Sequence, residues 1–326
     1  MKTYLSIILL ALLSNIAYSD AYFDSLLKLA EEGDANAQYN LGWKHVIGDG
    51  VPKNDQTAVM WLTKSAEQGF VMAQIALGFR YVRGEGVPKN EMTGVMWYRK
   101  AAEQGDARAQ DILGYMYYKG AGVSKNYKTS VMWATKAAEQ DYAPAQNRLG
   151  MMYASGRGIP LNYKAATIWY AKAAEQGHAD AQNNLAGYYE LGRGMPANDK
   201  AAVIWFKRAA EGGNANAQFK LGVRYEDGRG LEEDDKTAVK WYTASAKQGN
   251  PFGQYRLSLM YSKGEGVPKN DIRSYIWASM AKANGYIERR QKNGDPLRPE
   301  LLSKEQIAKA QELATKCYES DYKDCN

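Results

Sequence analysis

The sequence predicts an all-α chain built from stacked helix-turn-helix units, and three observations carry that reading. A motif opening on a small residue followed by Gln returns without insertion at Ala37, Ala73, Ala109, Ala145, Ala181, Ala217 and Gly253, a fixed spacing of 36 residues. Each of these seven copies holds two segments of helical apolar periodicity parted by a pair of glycines. Two columns, one of leucine and one of tryptophan, are filled in every copy. A fixed period in this range marks a solenoid, whose units cannot bury their apolar faces alone and do so by stacking. At 326 residues a single compact core would be near its upper size, whereas a solenoid simply adds units, so one extended domain is expected.

Residues 1–19 carry one positive charge, Lys2, then an apolar run from Leu5 to Leu13 and small residues at Ala17 and Ser19. That pattern is a secretory signal peptide, cleaved before Asp20 or, as second choice, after Ala21. The apolar run is shorter than the ~20 residues a membrane span needs. Residues 20–36 follow as an N-terminal capping helix, with Leu26, Leu27, Leu29 and Ala30 as its apolar face and Gly33 as its stop. The seven copies fill residues 37–285.

Within a copy, Ala145, Leu149 and Tyr153 recur at i, i+4 and i+8 and share one stripe of the first helix. The leucine column runs Leu41, Leu77, Leu113, Leu149, Leu185, Leu221 and Leu257; the tyrosine column runs Tyr81, Tyr117, Tyr153, Tyr189, Tyr225 and Tyr261, with His45 in the first copy. Both columns read as core, the ring filling the gap beside a small residue such as Gly78, Gly114 or Gly150. A G-x-G pair, Gly156 and Gly158 in the fourth copy, supplies the positive φ of a tight turn. It follows a helix and lacks the Lys-Ser or Lys-Thr of a phosphate loop, so phosphate binding is excluded. Asn54, Asn90, Asn126, Asn162, Asn198, Asp234 and Asn270 then stand where the second helix wants an N-cap. The tryptophan column, Trp61, Trp97, Trp133, Trp169, Trp205, Trp241 and Trp277, is packing. Glycines such as Gly69 and Gly105 end the second helices, Asp141 being the exception. Residues 286–326 are expected to form a loop over 289–299 and a last helix opened by a Ser303/Gln306 capping box. Its face of Ile307, Ala310, Ala314 and Cys317 would cover the final copy. Cys317 and Cys325 are the only cysteines, and export would place them in an oxidising compartment, so a disulfide between them is expected.

A hydrophobic share of 45% with 24% charged residues is that of a soluble globular chain. The net charge of +6 is spread through the copies and does not announce nucleic acid. His45 and His178 are the only histidines, far apart and without ligand-spaced partners. No H-E-x-x-H, C-x-x-C or G-x-S-x-G motif occurs. No catalytic residue, cofactor or metal site is therefore expected. The repeated Glu67, Glu103, Glu139 and Glu175 read as a solvated or inter-copy polar column.

The order A-Q-x-x-L-G-x-x-Y-x-x-G-x-G-V-P-x-N, then A-x-x-W-Y-x-K-A-A-E-Q-G, resembles the Sel-one-like repeat family, relatives of the tetratricopeptide repeats, from Phe23 to Gly285. Departures are local: His45 for tyrosine, Ala186 and Ser258 for the small glycine, Asp141 for the stop glycine, Ser124 and Glu232 for proline. The resemblance implies a right-handed superhelical solenoid used as a protein-binding scaffold. Exported bacterial relatives include host-factor binders, envelope or signalling regulators, and immunity proteins against secreted phospholipase toxins. Cysteine-rich relatives bind or hydrolyse penicillin-type compounds, but this chain lacks their intra-repeat cysteine pairs.

The expected function is that of a non-catalytic, monomeric adaptor in the periplasm or outside the cell, binding a partner protein such as a toxin, an envelope regulator or a host protein. No membrane span is expected after signal cleavage. The alternative is a binder of peptidoglycan or another anionic envelope polymer, with Lys53, Lys89, Lys125 and Lys269 as a basic rim; turnover of a β-lactam is the minor alternative. In the related repeats, positions 3, 7 and 10 of each first helix line a concave groove. Here that stripe holds Tyr39, Trp43, Ile75, Phe79, Tyr115, Tyr118 and Met151, and turns polar at Asn183 and Glu190. These seven residues are the candidate partner-binding set, with the N-terminal half as its centre, unless adjacent first helices pack closely enough to bury them.

Overall fold

The computed structural model describes residues 23–286, 302–320 and 322. The expected signal peptide, the expected loop over 289–299 and Cys325 lie outside the described residues. Sixteen helices and no strand occur among the described residues. The chain is a helical solenoid that divides into two compact units, residues 1–161 and 162–326.

The first unit contains α1 (23–31), α2 (Ala35–Ile47), α3 (Asp55–Glu67), α4 (Val71–Arg83), α5 (Glu91–Glu103), α6 (Ala107–Lys119), α7 (Tyr127–Ala138) and α8 (Ala143–Ser155). The second contains α9 (Tyr163–Glu175), α10 (Ala179–Leu191), α11 (Asp199–Glu211), α12 (Ala215–Asp227), α13 (Asp235–Ala246), α14 (Pro251–Lys263), α15 (Asp271–Ala283) and α16 (Lys304–Glu319). Within each unit, every helix from α2 onward packs on the helix that follows it in the chain.

The helices start and stop where the sequence says they should. Each Asn or Asp expected as a second-helix cap accepts from the backbone amide three residues on, as Asn54 does from Thr57 at 3.0 Å and Asn270 from Arg273 at 2.9 Å. Its own amide donates back to the carbonyl of the tyrosine column, Asn90 to Tyr81 at 2.7 Å and Asn126 to Tyr117 at 2.9 Å, which closes the turn. The two glycines of that turn have separate duties. Gly120 caps α6 at φ 77, in the left-handed region. Gly122, at φ 66, lies so close to the preceding copy that a Cβ there would collide with the Glu91 carbonyl at the start of α5. Asp141, in place of a stop glycine, takes φ 58 and accepts from Gln146 at 3.2 Å.

The leucine column is fully buried, 0 to 1% exposed. The tyrosine column and His45 are only half-buried, which corrects the expectation that they are core. The ring beside the small glycine comes instead from the second helix, one residue after the tryptophan. A Cβ on Gly78 would lie 3.1 Å from the Tyr98 ring, and one on Gly222 would lie 2.6 Å from the Tyr242 ring. Leu62, Tyr98, Ala134, Tyr170, Phe206, Tyr242 and Ala278 occupy this position and are all buried. Trp61, Trp97, Trp133 and Trp277 are buried and the other three tryptophans half-buried. Five of them lie under the cation three residues on, from Lys64 at 4.2 Å to Arg208 at 4.7 Å.

The ends are closed differently. On α1, Leu26 and Ala30 pack with Ala37, Leu41 and Trp61, while Leu29 faces solvent, contrary to its placement on the apolar face. On α16 the Ser303/Gln306 capping box forms, and Ala310 and Cys317 are fully buried against Ile276, Trp277 and Met280.

Two outcomes follow from this packing. Gly105 also has a positive φ, 95, but a Cβ there meets nothing within 4 Å. Gly105→Ala therefore costs only the backbone strain, about 1 kcal/mol. Gly122→Ala adds a backbone collision and costs about 1–3 kcal/mol more; denaturation midpoints of the two variants compare them directly. Burial pushes the Tyr98 phenol up to about 12, Arg108 drawing it partly back. Between pH 10 and that value the unfolded chain ionises while the folded chain stays protonated, so stability is full below pH 10 and falls above it, by up to about 1.4 kcal/mol per pH unit. Tyr98→Phe, the residue that the chain itself uses at Phe206, removes this part of the alkaline loss, measurable as a smaller drop in urea midpoint on raising the pH.

Candidate functional site

The first helices of the first unit, α2, α4, α6 and α8, carry the expected stripe, and its three positions differ in exposure. The seventh position stands out: Trp43 is 44%, Phe79 43%, Tyr115 43% and Met151 48% exposed. The third position turns inward. Tyr39 is half-buried, its ring 6.5 Å from Trp43 and 5.3 Å from Phe70. Ile75 is 7% exposed and belongs to the core cluster with Val95, Tyr98 and Leu113, so it does not line an open surface. Asp111 and Asn147 are likewise buried. At the tenth position Val46, Val82, Tyr118 and Ala154 are half-buried. Along this stripe the seventh position is open and the third is covered, Tyr39 beside Phe70 and Ile75 among Val95, Tyr98 and Leu113.

Cations sit over the exposed rings. Arg83 lies 5.6 Å from the Phe79 ring centre, Lys119 5.7 Å and Arg148 4.8 Å from that of Tyr115, and Arg157 5.6 Å from that of Tyr118. Arg148 also grips Asp111 with two bonds, 2.7 and 3.0 Å. Nothing in the apolar periodicity of the repeat pointed to these cations; the signal available was the recurrence of basic residues in their columns, as at Arg83, Lys119 and Lys263 or at Arg157, Arg193 and Arg229.

The second unit presents no comparable column. At its seventh positions Gly187, Val223 and Leu259 are half-buried. Glu190 binds Arg224 at 2.6 Å and Lys220 at 3.5 Å, and Tyr255 stacks on Tyr286 at 4.2 Å.

Both histidines have structural surroundings. His45 Nδ1 lies 3.4 Å from the Pro52 carbonyl, and His178 caps α10 by accepting from Ala181 at 3.2 Å. Among the described residues no group of three or more His, Cys, Asp and Glu side chains could hold a metal ion. No helix among them is long and apolar enough to cross a membrane.

The Sel1 repeat family model matches seven consecutive segments, residues 35–70, 71–106, 107–142, 143–178, 179–214, 215–250 and 251–286. A Sel1 repeat protein of Oxalobacter formigenes is 35% identical at a TM-score of 0.68, over 78% of this chain and 98% of that one. The protein c5321, a protective antigen of uropathogenic Escherichia coli with the same fold, is 32% identical at a TM-score of 0.65, over 89% of this chain and 70% of that one. The immunity protein Pa5087 of Pseudomonas aeruginosa is more distant, 21% identical at a TM-score of 0.43 over 65% and 81% of the two chains. No curated protein matches the sequence. With seven repeats end to end over residues 35–286, folded as helix pairs on a solenoid suited to protein binding, the chain belongs to the Sel1 repeat family.

Proposed function

We propose that the protein is a non-catalytic binding scaffold, exported to the periplasm or beyond, whose protein partner docks on the exposed column of the first unit. The observation that carries this reading is the column itself: four large apolar side chains, each more than 40% exposed, at one position of four consecutive first helices. Scattered apolar side chains on a surface need no explanation, but aromatic residues aligned by the period of the fold form a patch of the kind that marks interaction sites. Tyr39 and Tyr118 flank the column and complete the candidate surface; Ile75 supports it from beneath. The setting agrees with the E. coli relative's description as a protective antigen, and an immunity role against an envelope-acting toxin is one narrower form of the same reading.

A polymer-binding rim at Lys53, Lys89, Lys125 and Lys269 is less well supported, because Lys89 and Lys269 already pair with Glu91 at 3.0 Å and Asp271 at 3.8 Å.

The decisive variant is Trp43→Ala with Phe79→Ala, compared with wild type for the envelope protein that the mature chain retains. Affinity is expected to fall by roughly 30-fold, about 2 kcal/mol, as for true anchors. Melting should stay within a few degrees, since both side chains are largely outside the core. Retained binding, or unfolding of the variant, rules out this surface.

We propose in addition that Cys317 and Cys325 form a disulfide. The bridge would close a short loop over the end of the solenoid and contribute roughly 2–3 kcal/mol at most in the chain-entropy model. Protein taken from its native compartment and denatured without reductant should then take up no thiol label; uptake of two labels contradicts the bridge.

A further inference from the structure

Resting on the docking reading above, we infer that the pocket between α6 and α8 receives a carboxylate beside an aromatic or apolar side chain, so that the partner presents an acidic peptide segment to this part of the column. The pocket has a volume of about 380 Å³ and is lined by Tyr115, Tyr118, Lys119, Arg148, Met151 and Arg157, among others. That places it in the lower part of the ~300–1,000 Å³ range of ligand pockets, room for one or two side chains.

Its charge is unbalanced. Three cations and no carboxylate line it, and of the three only Arg148 has a carboxylate, that of Asp111, in the two-bond grip described above. Neither Lys119 nor Arg157 has a carboxylate within ion-pair distance among the described residues. Arg157 donates to the Tyr118 hydroxyl and stacks over Tyr118 and Tyr127, which fixes its plane while leaving donors of the guanidinium fork unused. Several arginines of the second unit have carboxylates, Arg224 with Glu190 and Asp199, Arg229 with Asp199 and Arg256 with Glu226, whereas Arg193, at the repeat position of Arg157, lies over the Tyr163 ring. At α6 and α8 Arg148 alone of the three cations has such a carboxylate, in Asp111.

Relative to the copies before it, this junction is newly charged: Arg148 stands where the two preceding copies have Ala76 and Ile112, Arg157 where they have Glu85 and Ala121, and Asp111 where the two copies before its own have Tyr39 and Ile75. Cations return in later copies at both arginine positions, as Lys220 and Arg256 and as Arg193 and Arg229, whereas an acidic residue at the position of Asp111 does not. Compensation of helix dipoles accounts for Lys119 alone, at the last residue of α6. Arg148 lies inside α8 and Arg157 beyond its cap. The rings and methionine thioethers supply apolar walls, and in such surroundings a carboxylate meets a charge-assisted, two-pronged donor rather than a solvated point charge.

The test uses the mature chain and three synthetic probes: an octapeptide of Glu-Glu-Phe-Glu-Glu-Phe-Glu-Glu with blocked ends, the same peptide with Gln for every Glu, and polyglutamate without aromatic residues. Binding is read by fluorescence anisotropy. The acidic aromatic peptide should bind at least tenfold tighter than its Gln counterpart, and tighter per segment than polyglutamate. Lys119→Gln with Arg157→Gln should erase that preference, with the melting temperature within a few degrees of wild type, because neither cation holds a carboxylate in the fold and their ring contacts are at the surface. Arg148 is left intact so that Asp111 keeps its partner. Equal binding of the acidic and Gln peptides, lost on Tyr115→Ala, overturns the inference while apolar docking on the column stands. Polyglutamate binding as tightly as the aromatic peptide overturns it in favour of diffuse charge attraction. Undiminished binding by the double variant, or no binding of the acidic peptide at all, also overturns it, and the Trp43 and Phe79 variants then judge the docking surface separately.

Discussion

A buried side-chain amide at the second position of each first helix ties that helix to the one before it. Gln38, Gln74, Gln110, Gln146, Gln182, Gln218 and Gln254 are at most 6% exposed, and each donates to the carbonyl eight residues back, from Gln38 to Ala30 at 3.0 Å to Gln254 to Ala246 at 3.1 Å. Those carbonyls belong to the last turn of a helix and each also accepts from the backbone amide three residues on, as Ala66 does from Gly69 at 3.0 Å and Ala102 from Gly105 at 3.1 Å, so the Gln amide fills the second lone pair. The same Gln oxygen accepts from the Gln that ends the second helix of its own copy, Gln68 to Gln38 at 2.7 Å and Gln104 to Gln74 at 2.8 Å; Asn284 does this for Gln254 at 2.9 Å. An amide buried here without these partners would cost more than the bond is worth when made. The stacking register of one copy on the next is fixed by satisfying it, and the close approach at the second glycine of each turn follows from the same register.

Much of this was legible in the sequence, because whatever recurs in all seven copies must serve the copy-to-copy interface. The leucine column, the asparagine caps and the glycine pairs were read correctly for that reason. Gln was taken only as a marker of phase, since a polar residue at a helical spacing gives no sign by itself that it is buried. The ring that fills the helix crossing was missed because it is not constant: Leu62, Tyr98, Ala134 and Phe206 solve the same packing problem with different volumes, balanced by Gly42, Gly78, Gly114 and Ala186 opposite. The constant tyrosines drew attention instead; their rings pack on the margin of the core, and the backbone carbonyls of Tyr81, Tyr117, Tyr189, Tyr225 and Tyr261 receive the cap amides.

The candidate site was legible in part. A helix in a single layer has one buried stripe, so the period alone separates inside from outside. A first helix in this solenoid has neighbours within its copy and in adjacent copies, and a second stripe is covered. Trp43, Phe79, Tyr115 and Met151 escape that cover and Ile75 does not, although the sequence places all five on one side of their helices. Only contacts between copies decide the matter, and those depend on side-chain size at every junction.

Periodicity also dictates where function can be written. Positions that hold the copies together are bound to the repeat, since a change there disturbs two interfaces at once. Positions outside the interface are free to differ from copy to copy, so the departures from the repeat carry the individual character of the chain. In the first unit such departures gather around α6 and α8, where an aspartate and two arginines replace apolar, small or acidic predecessors without being fully neutralised. In the second unit Arg224, Arg229 and Arg256 are drawn into ion pairs, while Arg193, Arg208 and Arg273 lie over aromatic rings.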